Sequence, residues 1–207
     1  MAGRPRGVED AVILRAAAEV IGRVGPAKLT LAAVADEVGI VPGTIVQRFG
    51  SKRGLLLALA ARSAHSARTA YERVRGRHDS ALEALLAMAV ESMSAAATPQ
   101  SYANHLAFLC MDLTDPEFHE HALALHRERG RVIERLLTEA VAAGELAAGT
   151  DVAAVRDSVQ TAIAGAGLTW ALDRHGTLAE RLEREIGTVL APHRPQGSEH
   201  ARTSTGR

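Results

Sequence analysis

VADEVGIVPGTIVQRFGSK, residues 34–52, places Gly39, Pro42, Gly43 and Gly50 within twelve residues of a chain that elsewhere reads as alanine-rich helix. Thr30, just upstream, is suited to cap a short helix whose inner side is Leu31, Val34, Ala35 and Val38, and Gly39 is suited to end it in a left-handed conformation. Ile40 and Val41 then separate that end from Pro42, a residue well tolerated in the first turn of a helix. The spacing predicts a third helix over 42–49 with Ile45 and Phe49 facing inward. Small Ala35 lets the two short helices cross closely, and the apolar, small and glycine positions from Leu31 to Ile45 follow a helix-turn-helix.

Upstream, residues 9–24 carry Ile13, Ala17, Val20, Ile21 and Val24 at helical spacing, with Gly25-Pro26 as stop signals. Downstream, Ser51 caps a predicted helix of roughly 25 residues, about 37 Å long, that ends at Gly76-Arg77-His78. Ser80-x-x-Glu83 reads as a capping box for a helix with Leu82, Leu85, Leu86, Ala89 and Met93 on one face. A loop over 97–100 precedes an apolar helix over 101–113, and TDPE opens a longer helix to about residue 143, in which Gly130 marks a bend. From Thr150, the series Val152, Val155, Val159, Ile163, Ala166 and Trp170 has coiled-coil spacing. Thr177-x-x-Glu180 caps a last helix with Leu178, Leu182, Ile186 and Val189. The polar tail after residue 191 reads as disordered. No segment reads as a strand, so the expected fold is all-α with about nine helices.

The charge is uneven along the chain. Residues 1–62 hold nine Lys/Arg and five Asp/Glu, so a net charge of zero over 207 residues hides a basic N-terminal part. That points to a polyanion at this end. With 47% hydrophobic and 23% charged residues, no run approaching the roughly 18 apolar residues of a membrane span and no signal-peptide core, the sequence suggests a soluble cytoplasmic protein. A lone cysteine, Cys110, excludes an internal disulfide and a cysteine zinc cluster.

Residues 29–59, LTLAAVADEVGIVPGTIVQRFGSKRGLLLAL, resemble the TetR family of transcriptional regulators, above all in Gly43-Thr44-Ile45, Phe49, Ser51, Lys52 and Leu55. The resemblance implies a DNA-binding domain over 1–50, a helical effector-binding and dimerisation domain over 51–191 and a disordered tail over 192–207. It implies a homodimer on a palindromic operator in double-stranded DNA, with a small apolar effector, no cofactor, no membrane and no catalysis. Two positions depart from the family pattern. Val41 stands where a polar residue is common, and Val46 where a tyrosine commonly touches a phosphate.

Physical roles follow from position. Gly43 allows close approach to DNA, and Pro42 and Thr44 lie at the same helix end. Val46 is suited to a thymine methyl, Gln47 to adenine, and Arg48 to guanine or a phosphate. Lys52 and Thr30, at helix N-termini, are suited to phosphates. Arg4 and Arg6 form either a minor-groove arm or a basic tail that adds only charge. Met88, His105, Leu109, Met111, Leu125, His126 and Trp170 are the expected effector contacts. Val155, Val159, Ile163, Ala166, Leu182 and Ile186 are the expected dimer seam, on small residues that permit close helix approach.

Other readings are weaker. No metal site is expected, since His119 and His121 point to different faces and His119 and His126 lie two turns, about 10 Å, apart. Two alternatives remain: a constitutive or protein-regulated DNA binder of the same fold, and a helical enzyme using Cys110, although no catalytic serine, P-loop or zinc-protease motif accompanies it.

Overall fold

The computed structural model describes residues 8–195, apart from the side chains of residues 64–66 and 112. All nine α-helices found among them follow the expected order: α1 Asp10–Lys28, α2 Leu31–Val38, α3 Pro42–Phe49, α4 Lys52–Arg75, α5 Ala81–Ser92, α6 Pro99–Thr114, α7 Pro116–Ala142, α8 Val152–Asp173 and α9 Leu178–Leu190. No strand occurs among the described residues. No helix there is long and apolar enough to cross a membrane.

Local chemistry sets most boundaries. Gly25 leaves the helical region (φ 79°, ψ 163°), as a stop signal should, and one further turn reaches Lys28. The hydroxyl of Thr30 accepts from the Ala33 N–H, and Gly39 takes the left-handed conformation (φ 68°, ψ 35°) in which a Cβ is unfavourable. Ser51, Asp115 and Asp151 cap α4, α7 and α8, and Thr177 with Glu180 makes the expected capping box.

Four expectations need correction. Ser80 caps α5 through the Glu83 N–H, but the reciprocal carboxylate is that of Glu145, which accepts from Ser80 Oγ and from the N–H groups of Ala81 (2.8 Å) and Leu82 (3.3 Å). The 97–100 loop is shorter than expected, because a 3-10 turn at Ser94–Ala96 and a capping box at Thr98 and Ser101 bring α6 forward to Pro99. Helix α7 continues through Gly130, where the missing side chain makes room for Gln160; a Cβ there would lie 3.1 Å from Gln160 Oε1. Part of the expected tail is also ordered: a turn at Ala191–His193 lets the His193 carbonyl accept from Ala147 N–H at 2.8 Å. Residues 196–207 and the Arg4/Arg6 arm lie outside the described residues.

Three apolar clusters organise the chain. The first joins α1, α2, α3 and the first turns of α4 around Ile13, Ile21, Val34, Ile45 and Leu55, and it includes Phe118 from the start of α7. Gly54 fits α4 against the end of α3 where a Cβ would lie 1.9 Å from the Phe49 carbonyl oxygen. The second cluster joins the end of α4 with α5, α7, α8 and α9 around Leu85, Ile133, Leu137, Val159 and Ile186. A third gathers Tyr102 on α6 with Trp170 and Leu182. Near the far end of α4, the Tyr71 hydroxyl and Arg75 Nε donate to Glu139 on α7 at 2.8 and 2.6 Å.

Candidate DNA-recognition surface and effector cavity

The tight turn at Gly39 sets α3 across α2, with Val34, Ala35 and Ile45 as its fully buried contacts. Turning Ile45 inward leaves the opposite face of α3 to solvent. On that face stand Pro42, Gly43, Val46, Gln47 and Arg48, all exposed, with Thr44 half-buried. A Cβ at Gly43 would meet nothing within 4 Å. The two departures from the family pattern are the notable apolar exposures here, Val41 at 68% and Val46 at 46%. Such side chains gain nothing from water, so a partner surface that covers them adds a hydrophobic term.

The cations of this surface already have protein partners. Arg48 donates to the Asp10 carboxylate at 3.0 Å and to the Val8 carbonyl. Lys52 donates to the Ala27 carbonyl at 2.9 Å, so it closes the end of α1. Either exchanges a solvent-exposed hydrogen bond for a phosphate at small cost. Thr30 is exposed, with its hydroxyl oxygen already accepting from Ala33.

A cavity of about 490 Å³ lies between α1, α4, α5, α7 and α8. Met88 and Leu125, two of the expected effector contacts, line it together with Leu14, Leu59, Val132, Ile133 and Ile163. The other expected effector contacts lie elsewhere. His105 is turned toward α1 and is packed against Gly22, with Nε2 lacking a partner. Burial pushes its pKa below the ordinary value, against a smaller opposing pull from the Ala95 backbone. Leu109 is exposed, and Met111 packs on the N-terminal cluster. His126 lies beside Gln160, whose side chain donates to its carbonyl at 3.1 Å. Trp170 is enclosed in the third cluster, and its Nε1 donates to the Gly176 carbonyl at 3.0 Å.

Sequence reasoning missed the contribution of α1, which adds Ala11, Leu14, Arg15 and Ala18 to the cavity wall. Nothing local in the sequence shows that α1 reaches the C-terminal helices. The two parts meet again at the α6–α7 corner. There Arg53 at the start of α4 pairs with Asp115 at 2.8 Å and with Glu117, and its guanidinium lies 5.4 Å from the centre of the buried Phe118 ring. The Arg53 hydrogen bond holds the Asp115 carboxyl below its ordinary value.

The expected dimer seam needs the largest correction. Val155, Val159, Ala166, Leu182 and Ile186 are each no more than 2% exposed within one protomer, and Ile163 packs against the same clusters. These side chains join α8 and α9 to their own chain. The outward face of α8 instead carries small residues together with Leu168 and Leu172, exposed by 45% and 76%. A Cβ at Gly165 or at Gly187 on α9 would meet nothing within 4 Å.

Comparison with known proteins fits this anatomy. Residues 13–59 match the family model for bacterial regulatory proteins of the tetR family. No curated protein matches the sequence. Among solved structures, SmeT, described as the repressor of the Stenotrophomonas maltophilia multidrug efflux pump SmeDEF, is 20% identical with a TM-score of 0.65, over 92% of this chain and 93% of that one. A FadR regulator from Bacillus subtilis in complex with stearoyl-CoA is 20% identical, TM-score 0.63, over 88% and 98%. A regulator from Saccharomonospora viridis in complex with choline is 19% identical, TM-score 0.66, over 88% and 95%. Residues 13–59 therefore match the model of the bacterial regulatory proteins of the tetR family, and the chain as a whole shares the fold of these solved regulators.

Proposed function

We propose that the protein is a homodimeric cytoplasmic repressor that reads a palindromic operator with α3 and is released from it by a small molecule bound in the cavity. The observation that carries this reading is the composition of the cavity wall. It takes Leu14 and Ala18 from the DNA-binding domain and Leu125 and Ile133 from the C-terminal helices, so one occupant touches both parts. Only an occupant that prefers one arrangement of the two parts shifts the balance between them. An open volume of 490 Å³, within the range of small-molecule sites, speaks against the constitutive alternative. The bound stearoyl-CoA and choline of the two similar structures support the same reading by analogy of fold.

Exposed Val46 is suited to a thymine methyl and Gln47 beside it to adenine, while Lys52 and Arg48 are suited to phosphates or, for Arg48, guanine. Dimerisation falls to the outward face of α8 and α9, where Gly165, Leu168 and Gly187 leave room for a partner helix and offer apolar surface to it.

Selection of bound duplexes from a random pool, followed by affinity measurement over a range of salt, tests the reading. A two-fold symmetric site should emerge, with affinity falling by about 0.9 log units per log unit of salt for each phosphate contacted. Equal affinity for the selected duplex and a scrambled one refutes specific readout.

A further inference from the structure

Arg129 is a cation of the cavity wall that has no partner among the described residues. It projects from α7 into the cavity wall. The residue is exposed, and it borders the cavity. Partial desolvation by the surrounding protein atoms lowers its pKa from the ordinary value, with no carboxylate to oppose the shift. Among the described residues it has no hydrogen-bond, ion-pair or aromatic partner, whereas Arg53, Arg75, Arg156 and Arg181 each hold at least one carboxylate.

The rest of the lining has the same sign. Arg15, Arg62 and Arg73 also border the cavity. Its one acidic residue, Glu91, is held by Arg73 at 2.7 Å and faces Arg77 at 3.7 Å. Around these cations the wall is apolar, from Leu14 and Leu59 to Met88, Leu125, Ile133 and Ile163. A guanidinium that borders apolar walls and has no carboxylate partner is available to an anion that enters the cavity, and its planar fork takes a carboxylate in two parallel hydrogen bonds.

We propose that the effector is an amphiphilic carboxylate whose head pairs with Arg129 and whose apolar body lies along the wall from Leu14 to Ile163. This rests on the effector reading above and narrows it from an apolar molecule to an anionic one. Selectivity follows from charge: the cavity accepts a carboxylate and discriminates against the alcohol of the same shape, which leaves the guanidinium unpaired.

The test uses the full-length protein and two matched probe pairs, decanoate with decan-1-ol and 2-naphthoate with 2-naphthol. Binding is read by calorimetry and release by displacement from the selected duplex. In each pair at least one member should bind, with the carboxylate at least about 30-fold tighter in one of them. Arg129→Gln should erase that difference by weakening the carboxylate alone, and Arg129→Lys should restore most of it. Arg129→Gln should also leave the melting temperature of the unliganded protein unchanged or raised, since it removes an uncompensated charge; a fall would assign Arg129 to the fold and overturn the proposal. If the neutral probes bind and release DNA as well as the acids, the proposal is wrong and the effector reading stands. If no probe binds and none releases DNA, both fail.

Discussion

Gly43→Ala separates the folding role of a recognition-helix residue from its DNA role. In the free protein a Cβ at this position meets nothing within 4 Å, and the backbone is not in the left-handed region. Alanine therefore fits without strain and lowers the entropy of the unfolded chain, for a gain of about 0.5 kcal/mol near a helix start. For a chain of this size that raises the melting temperature by about 1–2 °C. Bound to DNA, the same methyl occupies the space through which the start of α3 approaches the duplex. A methyl forced into a close contact costs about 1–3 kcal/mol. A dimer meets that cost at both half-sites, so the total is at least about 2 kcal/mol, a weakening of about 30-fold or more. Fluorescence anisotropy on the selected duplex measures the affinity, and scanning calorimetry the stability. Undiminished affinity in Gly43→Ala refutes the close-approach argument. A drop in melting temperature refutes the claim that the position is open.

Other substitutions address the remaining contacts. Leu168→Asp should leave the protomer folded and shift sedimentation toward the monomer, whereas Val159→Asp, with its charge at a fully buried position, should unfold the protomer; the reverse pattern would return the dimer seam to the inner face of α8. Arg53→Ala breaks the bridge to Asp115 and Glu117 and should reduce the ratio of DNA affinities without and with effector, measured on the same duplex, more than it changes the affinity without effector. Glu145→Gln should cost about 1–3 kcal/mol in urea unfolding, since the carboxylate accepts from Ser80 and from two backbone groups at the start of α5. Burial raises the Glu145 pKa, but those hydrogen bonds outweigh it and leave the group below its ordinary 4.5. Its stabilisation is thus complete above that value and is lost as pH falls through the lower folded-state value, and acid unfolding of Glu145→Gln should lack this component.

What the sequence determined by itself is what depends on neighbours three or four residues away. Thr30, Gly39, Ser51, Asp115 and Thr177 act on backbone groups within their own turn, so the order of the nine helices among the described residues and the helix-turn-helix were readable before any packing was known. The outward side of α3 was readable too, because burying Ile45 fixes which residues of so short a helix remain outside. Tertiary structure alone decided which surface each longer helix meets. An apolar stripe says that a face is covered without saying by what, and the stripe from Val155 to Ile186 proved to face its own protomer. Glu145 caps a helix more than sixty residues away in the chain. The cavity gathers α1 with four helices distant from it in sequence, and Arg129 takes its place in the wall beside Arg15, Arg62 and Arg73 only through that packing. Burial and pairing are properties of space, and a linear order carries them only where the chain folds back on itself within a turn.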